Sequence, residues 1–227
     1  MPPKPPPHLF RTTGTLMRAL DFEAAAIQRK CTEQRVNEFV TELSKFHVDS
    51  SIKEKAIQLY RQLCGNGRRN RKIKHSVFAL VYLAHLANGR AVLIRCLAHQ
   101  FGIDNTTIFK IIKDIHLGIY NNIPLRYYVV EAGNVFYIRT GKKVSDELLF
   151  EMTRAADFIV SSQYVRKQSP DKCAIAILYY FLTNYGYKIS QAPYCTLFHY
   201  SDTTISSVIT DISIHISRMC QGQRCIQ

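Results

Sequence analysis

Apolar residues along this chain recur with helical rather than strand spacing. Two stretches are apolar almost all round, Val77-Phe-Ala-Leu-Val-Tyr-Leu-Ala84 and Ala174-Ile-Ala-Ile-Leu-Tyr-Tyr-Phe181. A helix without a polar face belongs at the centre of a bundle. Each stretch is followed by a glycine, Gly89 or Gly186, which supplies a helix stop and favours helix over strand. A shorter helix is predicted after each, over 91–102 and 191–199. Ser190 is a plausible N-cap for the latter, and Pro193 falls in its first turn, where a missing N–H costs little. A third helix opens at Asp104 or Asn105 in one place and at Ser201 or Asp202 in the other. Its apolar positions Ile108, Ile111, Ile112 and Ile115 are answered by Val208, Ile209 and Ile212.

These two triplets are the same pattern displaced by 97 residues. Without gaps, residues 75–115 and 172–212 share ten identities in 41 positions. They pair Ala79 with Ala176, Tyr82 with Tyr179, Gly89 with Gly186, Phe101 with Phe198, and Thr106-Thr107-Ile108 with Thr203-Thr204-Ile205. Ile112, Asp114 and Ile115 pair with Ile209, Asp211 and Ile212. A single duplication explains this better than coincidence. Further helices are expected near 32–47 and 51–64 before the first triplet, and near 127–140 and 145–165 before the second. The 127–140 segment has a strand alternative, because Val129, Val130, Val135, Phe136, Tyr137 and Ile138 are β-formers. The expected fold is all-α, with two tandem five-helix repeats. The expected division is a Pro-rich tail and linker at 1–31, repeats at 32–120 and 126–219, and a tail at 220–227.

Charge adds a direction. Thirty Lys and Arg against 17 Asp and Glu give a formal net charge of +13 over 227 residues. Such a field attracts polyanions: nucleic acid, an acidic partner surface or anionic lipid. No run of about 18 apolar residues suggests a membrane span. Met1-Pro-Pro-Lys-Pro-Pro-Pro7 has no apolar signal-peptide core and reads as a short stiff tail. The seven cysteines are therefore expected to be reduced thiols. None forms a Cys-x-x-Cys pair, so no zinc site is expected, and Cys64, Cys96, Cys173 and Cys195 sit in apolar helical patterns as core residues.

Two repeats of five helices, each with an apolar third helix, resemble the cyclin fold. The closer similarity is to the core of the transcription factor IIB family. In the second repeat, Ser169-Pro170 precedes the buried helix, followed by Ala174, Ala176, Tyr179, Gln191 and Asp202-x-Thr204-Ile205. In the first, Arg71 is followed by Ala79, Val81-Tyr-Leu-Ala84 and Gly89. The resemblance covers roughly 32–217. It implies a general initiation factor, working in the nucleus as a monomer, that binds double-stranded promoter DNA and the TATA-binding protein and helps recruit RNA polymerase. The last two helices of the second repeat would then resemble a helix-turn-helix that enters the major groove. The chain departs from the family in two ways. The N-terminal zinc ribbon is missing from these residues, and the stretch before the first repeat is expected to hold only a piece of linker. The family's base-reading Arg aligns with Ser206.

Candidate site residues follow. Arg68, Arg69, Arg71, Lys72 and Lys74 place five cations in seven residues after a Gly-Asn-Gly loop signal. They suit phosphate contacts driven by counterion release. The other readings of the run are a solvated face or a nuclear-import signal. Arg71 matches the family's loop Arg. Thr203, Thr204, Ser206 and Ser207 open the last helix, where a recognition helix presents residues to bases; the bland reading is capping and solvation. Asp202 reads as an N-cap rather than a base contact. Arg166, Lys167 and Ser169 resemble phosphate-contacting positions at a helix start. Lys110 and Lys113 share one helix face. By resemblance that face meets the TATA-binding protein, and otherwise it is ordinary solvent-facing surface. No P-loop, His-Glu-x-x-His or nucleophile elbow is present, so neither enzymatic activity nor a cofactor is expected. The rival reading is a cyclin-type regulatory subunit that binds a protein kinase; Met17-Arg-Ala-Leu20 echoes a docking patch, but lies outside the repeats.

Overall fold

Short polar side chains set several of the helix starts. In the computed structural model, which describes residues 32–64, 72–114, 123–160 and 168–224, ten helices and no strand occur among the described residues. They are α1 (32–44), α2 (Ser50–Cys64), α3 (Ile73–Ala87), α4 (Ile94–Gln100) and α5 (Asn105–Asp114), then α6 (Leu125–Thr140), α7 (Asp146–Ile159), α8 (Pro170–Asn184), α9 (Gln191–Leu197) and α10 (Asp202–Arg224). Asp49 caps α2 by accepting the Ser51 N–H at 2.9 Å. Arg90 pairs with the same carboxylate at 2.9 Å and, with the Ser51 bonds, holds its pKa down at about 2. Asp104 caps α5 by accepting from the Thr107 N–H at 2.9 Å, which settles the Asp104-or-Asn105 alternative. Ser145 caps α7 by accepting from the Leu148 N–H at 3.2 Å, with Asp146 and Glu147 in the first turn, where the helix dipole favours negative charge.

The segment with a strand alternative is helical. Along α6, Leu125, Tyr128, Val129, Ala132, Gly133 and Phe136 are buried, which is one helical stripe. Its β-branched residues were the misleading signal; burial against α7 and α8 overrides their propensity. Gly141 ends α6 at φ 70°, donating its N–H to the Tyr137 carbonyl at 2.8 Å.

Two hydrophobic clusters result. One joins Phe39 and Leu43 of α1, Ile52 and Ala56 of α2, most of α3, and Phe101, Ile108 and Ile111. The other joins Leu93 and Cys96 to buried residues between 125 and 216 and has α8 at its centre, where Cys173 through Leu178 are all fully buried. The stretches expected at bundle centres therefore lie there. Burial pushes the thiols of Cys96 and Cys195 up to about 11 and that of Cys173 to about 12, as expected of inert core cysteines.

Helix boundaries in the two clusters correspond at the 97-residue offset. Helices α3 and α8 run from 73 to 87 and from 170 to 184; α4 and α9 run from 94 to 100 and from 191 to 197; α5 and α10 begin at 105 and 202. Turn hydrogen bonds correspond too. The Arg90 N–H donates to the His85 carbonyl at 2.9 Å, as Tyr187 does to Leu182 at 3.0 Å. The Ile103 N–H donates to Ala98 at 2.9 Å, as Tyr200 does to Cys195 at 3.1 Å. Gly89 and Gly186 take matching left-handed conformations, at φ 67° and 84°.

Helix α4 belongs to both clusters, because Leu93 and Cys96 pack into the second. Its start is capped from the other half of the chain. The Ile94 N–H donates to Asp171 Oδ2 at 3.1 Å, and Asp171 is 6% exposed on the first turn of α8. Burial raises the Asp171 pKa, against the opposing pull of that hydrogen bond. A folded-state pKa above the unfolded value means the neutral acid suits the fold better. This residue's contribution is therefore fullest at acid pH and falls as pH rises through the raised value. Asp171→Ala is expected to cost about 1–2 kcal/mol in urea denaturation, because the Ile94 N–H loses its acceptor. Asp171→Asn keeps an acceptor without a charge and is expected to cost less than half as much at neutral pH. Equal losses in both variants would show that the charge, rather than the cap, matters.

Candidate nucleic-acid interface

Helices α9 and α10 are joined by a short turn and anchored on α8. The fully buried Tyr194 donates its hydroxyl to the Ile175 carbonyl at 2.7 Å, which fixes α9 to the central helix. The turn is closed by backbone bonds from Phe198 to Cys195, His199 to Thr196 and Tyr200 to Cys195, each 3.1 Å. The start of α9 is tied to α10 because the Gln191 side-chain amide donates to the Asp202 carboxylate. Asp202 therefore pins the two helices together instead of capping α10. The residue at the cap is Ser201, whose carbonyl accepts the Thr204 N–H at 3.1 Å. Its hydroxyl engages those of Thr203 at 3.2 Å and Thr204 at 2.6 Å.

The two faces of α10 separate cleanly. Ile205, Val208, Ile209, Ile212 and Ile216 are buried on α8 and its neighbours. Thr203, Ser206, Ser207 and Thr210 are exposed on the other side, and Thr204 is half-buried. Their spacing makes one hydroxyl-bearing stripe down the helix. Thr210 is partly committed, since its hydroxyl donates to the Ser206 carbonyl at 3.1 Å. Such a stripe can offer hydrogen bonds to phosphates or base edges and methyl contacts to thymine, but no bidentate donor pair.

The other candidates divide by position. Arg68, Arg69, Arg71, Arg166 and Lys167 lie outside the described residues. Lys72 is exposed at the N-cap position of α3. Lys74 is half-buried and donates to the Gly102 carbonyl at 3.4 Å, so it supports its own bundle at the turn before α5. Ser169 is the N-cap residue of α8, and its hydroxyl bonds to Tyr200. Lys110 is exposed on α5, and Lys113 is on the same helix. The fold thus gathers Ser169 and the hydroxyl residues of α10 around the α9–α10 unit, and leaves Lys72, Lys74 and Lys110 on the first half.

Sequence reasoning missed Phe109, which is 63% exposed beside Lys110. The signal was available: Phe109 falls outside the apolar stripe of Ile108 and Ile111, and its counterpart at the 97-residue offset is Ser206. It also gave no role to Arg95, His99, Arg139 and His199, which lie far apart in sequence and meet only in the fold. None of the helices among the described residues is long and apolar enough to cross a membrane. Compared with known proteins, the chain matches no protein-family model, and no curated protein matches it at a significant level.

Proposed function

We propose that this chain is an initiation factor similar to the transcription factor IIB core, built of two cyclin-type repeats of five helices each. It binds promoter DNA together with the TATA-binding protein, helps recruit RNA polymerase, and acts in the nucleus. The observation that carries this reading is the pairing of a +13 chain with a helix-turn-helix whose second helix exposes the hydroxyls of Thr203, Ser206, Ser207 and Thr210 on one face. The corresponding helix boundaries at the 97-residue offset support the duplication. Differences between the copies support a division of labour. Helix α10 offers Thr203, Thr204, Ser206 and Ser207 to DNA. At corresponding places α5 offers Phe109 and Lys110, an apolar and cationic pair suited to a protein partner with an acidic rim. The basic run at Arg68, Arg69, Arg71 and Lys72 supplies phosphate contacts. The work done is binding free energy, without bond-breaking chemistry.

The deciding experiment is a gel-shift assay. The full chain is expected to supershift a TATA-binding protein–promoter complex and to lose affinity steeply as salt rises. Failure to bind DNA at about 50 mM salt would refute this function. Capture of a protein kinase under the same conditions would favour the cyclin-type regulatory subunit instead. A second measurement isolates the helix stripe. The Thr204→Ala, Ser206→Ala double variant is expected to change preference among DNA sequences several-fold, with overall affinity little altered. A uniform drop across unrelated sequences would assign those hydroxyls to phosphates.

A further inference from the structure

The seam between the two clusters holds a group of basic side chains drawn from three elements. His99 of α4 stacks on His199 of the α9–α10 turn, with ring centroids 3.9 Å apart and planes 14° from parallel. Arg139, near the end of α6, approaches His199 Nε2 with Nη2 at 2.8 Å. A guanidinium only donates, so the His199 ring accepts there, and its own proton sits on Nδ1. Arg95 of α4 donates to the His199 carbonyl at 3.1 Å and lies over the Tyr200 ring at 3.9 Å, so it holds the turn in place. Of the carboxylates on these elements, Asp171 is buried and accepts the Ile94 N–H, next in sequence to Arg95, and Glu131 stands on α6 eight residues before Arg139. The charged or titratable side chains that act on His199 itself are Arg139 and His99. His99 and Arg139 are exposed, and His199 is half-buried.

The backbone gives a second observation. His199 stands at φ 57°, the one non-glycine residue in the left-handed region among the described residues. The corresponding position of the first half is Gly102, at φ 55°. Glycine is the residue that suits this turn, so an imidazole is held here against the backbone's preference. An outlier of that kind points to a use for the side chain.

We propose that this seam is a binding site for a phosphate group, which is taken up together with a proton. Arg139, His99 and His199 form the cradle, and Arg95 is a positioning residue. Without an anion, burial, helped by the nearby Arg139 and His99, pushes the His199 imidazole down to about 4, so at neutral pH it is neutral and serves Arg139 as an acceptor. A phosphate oxygen is a stronger acceptor for a guanidinium than a ring nitrogen is. Arg139 then turns to the anion, His199 Nε2 takes a proton from solvent, and the imidazolium donates a further bond. Binding therefore raises the His199 pKa, and by linkage affinity rises as pH falls. Inorganic phosphate and a nucleic-acid phosphodiester share this chemistry. The site does not depend on the promoter reading, because its first probe is inorganic phosphate and its readout is a histidine.

The test follows the imidazole proton resonances of His99 and His199 by NMR in the full chain, from neutral pH down past the His199 midpoint of about 4. With millimolar inorganic phosphate the His199 midpoint is expected to move up by at least about one pH unit, a tenfold coupling. Arg139→Gln is expected to weaken phosphate binding about tenfold. His199→Gly, which places at this turn the residue found at the corresponding one, is expected to abolish phosphate-linked proton uptake without lowering the melting temperature. A His199 midpoint indifferent both to phosphate and to a short DNA duplex overturns the proposal, as does unchanged proton uptake in His199→Gly. A shift produced by the duplex at concentrations where inorganic phosphate is silent identifies the source as nucleic-acid backbone. A shift with inorganic phosphate alone identifies a small-anion site.

Discussion

Phe198→Ala is expected to destabilise the second half by about 3–5 kcal/mol, and Phe101→Ala to do the same to the first. Both rings are essentially unexposed. Phe198 meets Tyr194 at 5.1 Å, and Phe101 stacks on Phe46 at 4.1 Å and meets Phe78 edge-on at 5.9 Å. Each stands at the end of the short helix of its half, within that half's buried cluster, and removing either ring leaves a cavity there. Amide exchange distinguishes the two losses. In Phe101→Ala, amides of α2, α3 and α5 are expected to exchange fast while α8 stays protected, because the second cluster has its own centre. Simultaneous loss of protection in α3 and α8 would mean that the seam makes one cooperative unit. Helix α4 is where such coupling would arise, since Leu93, Cys96 and the Ile94 cap tie it to the second half.

The helices were legible because their apolar residues have helical spacing, and because Gly89, Gly186 and Asp104 mark ends through local chemistry. Boundaries shifted where the side chain at an end had a distant partner. The predicted start at 91 became Ile94, because Ala91 and Leu93 pack on the second cluster while Val92 turns to the first, and Asp171 then caps the helix. Asp202 read as a cap by its type and place, yet its carboxylate goes to Gln191, eleven residues back. The hydroxyl stripe of α10 could be read, since position on a helix decides exposure. The seam could not. Arg95 and His199 are 104 residues apart, and Arg139 and His199 are 60 apart, so no window contains them. The one trace in the sequence is the mismatch of Gly102 with His199 at the 97-residue offset. A glycine in one half and a histidine at the corresponding place in the other, both left-handed, mark a position where the backbone's preference has been overruled.

Arg68→Ala, Arg69→Ala and Arg71→Ala together are expected to flatten the salt dependence of DNA binding by up to about three in the slope of log affinity against log salt. Each phosphate neutralised by a cation releases condensed counterion, worth roughly 0.9 in that slope for duplex DNA. The triple variant lowers the formal net charge of +13 by three, a small change in the whole-molecule field, so a slope loss near three requires direct contacts. A long-range effect alone would weaken binding modestly and leave the slope nearly unchanged. The stripe on α10 predicts the opposite signature, a change of preference at constant slope. Combining the triple variant with Thr204→Ala and Ser206→Ala is therefore expected to give additive losses, because one set is expected to meet phosphates and the other base edges. Non-additivity would mean that the basic run and α10 grip the same stretch of backbone, and that one duplex spans both halves only when each is engaged.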